Sequence, residues 1–477
     1  MKRVNGVIES SASDLVGFVN CRHLADLERA VVEGAATRPK FWDPMLEVLQ
    51  ERGALHEASY VDALAASGLG IRRIDGADIT EDAVAQTLSA MRSGVDVVVQ
   101  GALVAPGWCG RADVLRRVAT PSSLGAWSYE AVDTKLARET KAGSVLQLCV
   151  YSDLLGQAQG VAPEHMHIVA PWSNFQPQTF RVADFAAYYR RTRSALEQSL
   201  RRERSDGNYP EPKEHCSVCR WREPCDQRRR SDDHLCLVAG ISELQINELR
   251  QHDVSTVKAL SLQPLPLTWK PDRGSVHSYE RVREQSRLQV EARETGKMRF
   301  ELLPIETGLG LNRLPEPSAG DIFLDFEGDA FVGEHGLEYL LGYAAIEDGA
   351  LTYRASWAFS RSDERRAFEE FVDFVVTRWK EFPDLHIYHY APYEPTALKH
   401  LMGRYGTREE EIDRMLRAKL FVDLYDVVRH SIRAGVESYS IKELEPFYAF
   451  ERAVPLSSMT RERLLWGRKG PPQIAQK

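Results

Sequence analysis

The sequence predicts an α/β protein made of two successive α/β units. Three observations carry that expectation. Between residues 13 and 204, helical apolar spacing alternates with short β-patterned runs in the order helix, strand, hairpin, helix, strands, helix, which implies a central mixed sheet. A second run of the same kind starts at Asp321 with DIFLDFEGDAF. With 477 residues, 43% of them hydrophobic and 27% charged, each unit can bury a core.

Taken in order, SDLVGFVNCRHLADLERAVVE (13–33) carries a serine cap and helical spacing, with Cys21 inside or near the helix. A second helix starts at Asp43-Pro44 and should stop near Gly68. Its stripe of Leu46, Leu49, Gly53, His56 and Tyr60 turns His56 inward. A strand follows at VDVVVQGALVA, and then GRADVLRRVATPSSLGAWSYEAVDTK (110–135) reads as a hairpin around the turn-rich TPSSLG. Period-two alternation puts Tyr129, Ala131, Asp133 and Lys135 on one side of the second strand and Glu130, Val132 and Thr134 on the other. On the helix after Lys135, Gln147 and Tyr151 are four apart and share a face. Strands at HMHIVAP and QTFRV precede a long helix from Asp184 to about Arg204.

Residues 238–262 read as two short helices around a tight turn, followed by the Pro-rich LQPLPLTWKP and the charged helix YERVREQSRLQVEAR. From Asp321 come a strand ending in acids, a strand at YLLGYAAI, a helix at DERRAFEEFVDFVVTRW, a strand at LHIYHY and a helix from Pro395. The expected division is 1–236, a two-helix element at 237–265, a linker with a charged helix at 266–319, and a last domain at 320–477.

The formal net charge is −8, so nucleic-acid binding would need a local basic surface. The first residues lack the apolar core of a signal peptide and no run of about 18 apolar residues occurs, so a cytoplasmic protein away from membranes is expected. The seven cysteines then read as ligands before disulfides. HEASY is not H-E-x-x-H, because position 60 is tyrosine. No phosphate-binding G-x-x-x-x-G-K-[ST] and no G-x-S-x-G elbow occur.

Asp113 on the first hairpin strand can join Asp133 and Lys135 on the second, with His56 facing the same interior. Two carboxylates, an imidazole and the Thr134 carbonyl could form the oxygen-rich shell that Mg2+ or Mn2+ prefers, while Lys135 orients a water. Two surface carboxylates with a salt-bridged lysine are the plainer alternative. HEASY after RGAL, GRADVL, VDTK and QLCVY resemble the successive motifs of the RecB-like branch of PD-(D/E)XK nucleases. That resemblance implies a restriction-endonuclease-like core and metal-dependent DNA cleavage, with Gln147 and Tyr151 helping to hold substrate or site.

Cys216, Cys219 and Cys225 form C-x2-C-x5-C, and Cys21 lies far earlier, so a four-thiolate site would staple the start of the domain to its end. Spacing leaves Zn2+ and a [4Fe-4S] cluster open. The one-plus-three arrangement around such a core is similar to AddB-type and CRISPR-associated RecB-like nucleases, which implies an iron-sulfur cluster with a structural role, Zn2+ being the alternative. Arginines crowd this knuckle, among them Arg220, Arg222 and Arg228 with Trp221 between, and suit phosphate-backbone contacts or a solvated face. The helical pair at 238–262 is similar in outline to a helix-hairpin-helix element, but its turn, Gln251-His252-Asp253, lacks glycine.

Asp325 and Glu327 at a strand end, Glu394 in YHYAPYEP and Asp423 in FVDLYDVV form the third set. D-x-E on one strand puts two carboxylates on one face. With SIKELEPFYAFER, these motifs resemble the ribonuclease H-like DEDD 3'-5' exonucleases, which implies a second metal-dependent site over roughly 320–455. Glu394 stands where that family has aspartate. The family's last motif, on a late helix, is absent and the tail reads LLWGRKGPPQIAQK, so the expectation is a C-terminally truncated domain with a weakened site. Together these readings point to a metal-dependent DNA nuclease of repair or foreign-DNA processing, with RNA left open as substrate. Unwinding would fall to a helicase partner or a helicase region absent from these residues. The rival expectations are a non-catalytic nucleic-acid-binding scaffold and an exonuclease working through the DEDD domain.

Overall fold

Two antiparallel strands, β1 (Lys2–Val4) and β2 (Val7–Glu9), lead into α1 (Ala12–Asn20) and α2 (Arg22–Val32). The structure is a computed structural model that describes residues 1–4, 6–40, 44–136, 139–202, 207–329, 332 and 336–452. The Asp43 cap, the Arg204 helix end and the C-terminal tail on which truncation was argued lie outside these residues. The single helix expected over 13–33 is two helices. Cys21 is extended (φ −157°, ψ 111°) and serves as the C-cap of one and the N-cap of the next, so the hydrogen-bond ladder breaks there. A capping box starts α1: Ser11 Oγ accepts from the Asp14 amide and Asp14 accepts from the Ser11 amide.

The chain divides into two compact units, one of residues 1–225 and one beginning at Asp226. In the first, α3 (Pro44–Ala66), β3 (Ile71–Arg73), α4 (Glu81–Arg92), β4 (Val97–Ala105), β5 (Trp108–Val118), β6 (Ser128–Thr134), α5 (Ala142–Gln159), β7 (His165–Val169), β8 (Gln178–Arg181) and α6 (Val182–Arg201) follow in order. The strands form one mixed six-stranded sheet in sequence order, with β3–β4 and β6–β7 parallel and the rest antiparallel. Leu146, Cys149, Tyr151 and Leu154 of α5 pack with Leu115, Tyr129, Ala131 and Ile168 of the sheet. Tyr60 and Val61 of α3 join a second cluster with Val97, Val99, Val114, Val132 and Val169. Each such aliphatic side chain contributes about 1.5–3 kcal/mol on burial. Gly110 is required by this packing, since a Cβ there would stand 2.9 Å from the Tyr151 ring.

Helix α7 (Arg222–Ser231) bridges the residue where the units divide. In the second unit, α8 (Glu243–Gln251), α9 (Val257–Ser261) and α10 (Val276–Thr295) share a core built on Leu235, Leu249, Val257, Tyr279 and Val282. Strand β9 (Phe300–Leu302) is followed by β10 (Ile322–Asp329), β11 (Leu337–Glu347), β12 (Ala350–Trp357), α11 (Arg361–Glu381), β13 (Ile387–His389), α12 (Tyr393–Tyr405), α13 (Glu409–Arg417), β14 (Phe421–Asp423), α14 (Leu424–Arg429), β15 (Ile432–Ala434) and α15 (Ile441–Leu444). Five strands form a sheet in the order β12-β11-β10-β13-β14, with β10, β13 and β14 mutually parallel. Phe368, Phe371, Val372, Leu398 and Met415 of α11–α13 cover Ile322, Leu324 and Phe326. The charged helix is tied into this unit: Gln285 Nε2 donates to Ala434 O at 2.8 Å, and β9 pairs with β15.

Candidate active sites

The paired register of β5 and β6 runs through Val114–Val132, and one step further places Asp113 opposite Asp133. The Thr134 amide and hydroxyl both donate to Asp113 Oδ2 at 2.9 Å, which fixes that carboxylate at the strand end. Asp133 is 0% exposed. Burial pushes its carboxyl up to about 7, with Lys135 pulling it down and Asp113 pushing it further up. Lys135 Nζ lies 2.9 Å from Oδ1 and 2.8 Å from Oδ2, the first contact having hydrogen-bond geometry. From α5, Gln147 Nε2 reaches Asp133 Oδ1 at 3.4 Å and donates to the Tyr151 hydroxyl at 2.9 Å. Asp113, Asp133, Lys135, Gln147 and Tyr151 therefore form one linked group.

His56 is engaged elsewhere. Its Nε2 lies 3.0 Å from Val169 O, which also accepts from the Lys135 amide at 3.1 Å, and its ring stacks on Phe175. Among the described residues, no group of three or more His, Cys, Asp or Glu side chains is gathered to hold a metal ion. The expected His56–Asp113–Asp133 shell is thus not assembled here. The opposed carboxylates themselves fit a hard divalent cation, because Asp133 is fully buried, Asp113 still raises it, and the Lys135 ammonium offsets that only in part. Sequence reasoning passed over two residues beside this pair. Glu57, whose carboxyl is raised first by burial and also by Asp113, accepts at 2.7 Å from Gln100 Nε2. Gln100 is a polar residue inside an apolar strand, a signal that was available.

Around the knuckle, Cys216 lies in a short 3-10 turn (Glu214–Val218), Cys219 caps it and Cys225 sits in α7. Burial raises the Cys219 thiol, and its electrostatic neighbours include Cys216 and Cys21. Among the described residues, the four thiols are not gathered as a ligand group. Hydrogen bonds nevertheless join the two ends of the unit: Trp221 Nε1 to Glu28 Oε1 at 3.0 Å, the Asn208 amide to Asp26 Oδ2 at 2.8 Å, and Arg29 Nη1 to Arg202 O at 2.6 Å. Trp221 is therefore corrected as a nucleic-acid contact, since at 5% exposure its ring faces protein and cannot stack on a base. Arg220 and Arg222 are exposed, and Arg228 is exposed beside Asp232.

In the helix-hairpin-helix-like pair, Asp253 takes the left-handed conformation (φ 59°) that glycine supplies elsewhere. The first amides of α9 are already filled by Asp233, whose carbonyl accepts from Val257 N and whose Oδ2 accepts from Lys258 N. That arrangement packs the pair internally.

In the five-stranded sheet, Asp325 and Glu327 sit two apart on β10 and share a face. Asp423 ends β14, its Oδ1 accepting from the Ala391 and Tyr425 amides at 2.9 Å, while Ala391 is held at φ 72°. Helix α12 starts at Tyr393, earlier than Pro395, which places Glu394 in its first turn at 4% exposure. Burial raises Glu394 to about 7, and the charges of Asp325 and Asp423 add to the rise. Its Oε2 is buried without a hydrogen-bond partner, and His389 Nδ1, 3.6 Å away, belongs to an imidazole whose pKa burial lowers. An orphaned carboxylate oxygen facing two more carboxylates also fits a divalent cation.

Asp325 and Glu327 on β10, Glu394 in the first turn of α12 and Asp423 at the end of β14 sit in the part of the second unit that forms an RNase H-like α/β domain. The comparison with known families agrees: residues 322–472 match the model of the RNase_H superfamily, whose members generally hydrolyse nucleic-acid phosphodiester bonds, typically with divalent metals. No curated protein matches the chain.

Proposed function

We propose that this chain is a divalent-metal-dependent nuclease that hydrolyses DNA phosphodiester bonds in repair or foreign-DNA processing, acting through Asp113, Asp133 and Lys135. The observation that carries the reading is the opposition of Asp113 and Asp133 with Lys135 paired to the buried one. Asp113 and Asp133 would hold Mg2+ or Mn2+, which neutralises charge on the phosphate and lowers the pKa of a bound water. Lys135 counters the burial that raises Asp133 and would present its remaining donors to an incoming water or phosphate oxygen. Gln147 and Tyr151 set the orientation of Asp133 from α5. A structural [4Fe-4S] cluster, or Zn2+, would have to draw Cys21, Cys216, Cys219 and Cys225 together, and what supports it is that Cys21 and Cys216 already neighbour Cys219 at the joint that Glu28 and Trp221 close.

The test is cleavage of labelled single- and double-stranded DNA and of RNA by the full chain, with Mg2+ or Mn2+ and with chelator. Cation-dependent cleavage should fall at least about a hundredfold in Lys135→Ala. Equal activity in wild type and variant overturns the reading. A second reading, cleavage through Asp325, Glu327 and Glu394, is favoured by the RNase_H superfamily match. It predicts that Asp325→Ala abolishes cleavage while Lys135→Ala leaves it unchanged. Tight cation-independent binding without cleavage would mark a scaffold for a helicase partner.

A further inference from the structure

Three of the four edges of the two large sheets are short: β3, β8 and β14 have three, four and three residues, and each carries a charged side chain. Short, charged edges are the usual protection against pairing with another chain. The fourth edge, β12, has eight residues, ALTYRASW, with no proline and no lysine. It pairs with β11 in an unbroken register from Ala350–Glu347 to Trp357–Leu340, set by a tight turn at Asp348 (φ 50°) and Gly349 (φ 79°). Leu351, Tyr353, Ala355 and Trp357 share one face and are all exposed, while Thr352, Arg354 and Ser356 share the other. The strand's one charge is occupied, since Arg354 Nε donates to Glu347 Oε1 at 2.8 Å. Among the described residues, no strand takes up the outer row of backbone amides and carbonyls.

Those groups fit an extended partner, and β12 is complementary to itself. Directly opposed residues of antiparallel strands lie on the same face, so a symmetric pairing must be centred on a residue rather than between two. The two centres that pair most of the strand are Tyr353 and Arg354. Centred on Arg354, the pairing would set two guanidinium groups against each other. Centred on Tyr353, it sets Tyr353 against Tyr353, Leu351 against Ala355 and Thr352 against Arg354, with no like charges opposed. At each end Trp357 of one copy then faces Gly349 of the other, where a Cβ would meet nothing within 4 Å, so the indole has room.

We propose that β12 is a self-association surface: two copies of this chain pair their β12 strands antiparallel about a twofold axis at Tyr353. The five-stranded sheets then run on as one, with the Asp325 and Glu327 of both copies on the face that carries Tyr353.

Sedimentation equilibrium of the full chain over about a hundredfold range of concentration tests it. Wild type should pass from monomer to dimer. Leu351→Lys combined with Tyr353→Lys should raise the dimer dissociation constant at least about tenfold. The melting temperature of that variant at low concentration should match wild type, because both side chains already stand in solvent. Thr352→Glu, which opposes a carboxylate to Arg354 of the other copy, should lower the constant severalfold. Under mild oxidation Tyr353→Cys should form a dimer whose peptide map joins position 353 to position 353. A chain that stays monomeric at every concentration overturns the inference and leaves β12 to a strand of another protein. A dimer that the two lysines leave intact overturns it as well. If the lysines lower the melting temperature, the cross-link decides, and a dimer without the 353–353 linkage overturns the pairing.

Discussion

Asp133 and Glu130 lie three residues apart on one strand and respond to pH in opposite directions. The Asp133 carboxyl is raised by burial to about 7, so its stabilising contribution is complete below the unfolded value of about 4 and is lost as pH rises through 7. Asp133→Asn should therefore be more stable than wild type at pH 8, by on the order of a few kcal/mol, with the gain vanishing near pH 4 in urea unfolding. Burial also acts on Glu130, but His167 Nε2 at 2.9 Å and the His165 amide outweigh it and hold the carboxyl low. Its contribution is present above the unfolded value of about 4.3 and is lost as pH falls through the folded one. Glu130→Gln should cost about 1–3 kcal/mol at pH 7, and the deficit should shrink below pH 4. The separation of these two acids was legible because strand alternation has period two. Glu57 was not: neighbouring residues on a helix diverge by about 100°, and the apolar stripe of α3 passes through His56 alone.

Short elements show what sequence pattern cannot convey. The split at Cys21 leaves no mark in the spacing of apolar residues, because α1 and α2 each keep a helical stripe and only the backbone between them changes. Strand β12 was missed for a different reason. As the edge strand of its sheet it leaves Leu351 and Tyr353 70% and 64% exposed, so no inside-outside alternation develops. The start of α9 depends on Asp233, distant in sequence, which also pairs with Arg293 at 2.8 Å. Asp233→Ala should destabilise the second unit by about 1 kcal/mol, read as a lower urea midpoint with an unchanged slope.

At the scale of the whole chain, two units with separate cores should be distinguishable by calorimetry, and a ligand shifts only the unit that binds it. Mn2+ at about 100 times its dissociation constant should stabilise its unit by about 2.7 kcal/mol. Asp113→Asn or Asp133→Asn should remove that shift from one transition, and Asp325→Ala from the other. The α/β class and the restart at Asp321 were legible because hydrophobic period switches between 2 and 3.6 at each element. The cysteine pattern led to an expectation of closure through four thiolates, whereas Glu28 with Trp221 and Asp26 with Asn208 join the ends of the first unit through polar contacts that no spacing announces. Because those contacts span 193 and 182 residues, the first unit is a ring in all but covalent terms. A protease nick in the hairpin turn at 119–126 would leave two fragments that remain clasped at their far ends. The same ring marks that turn as the place for new termini in a circularly permuted chain.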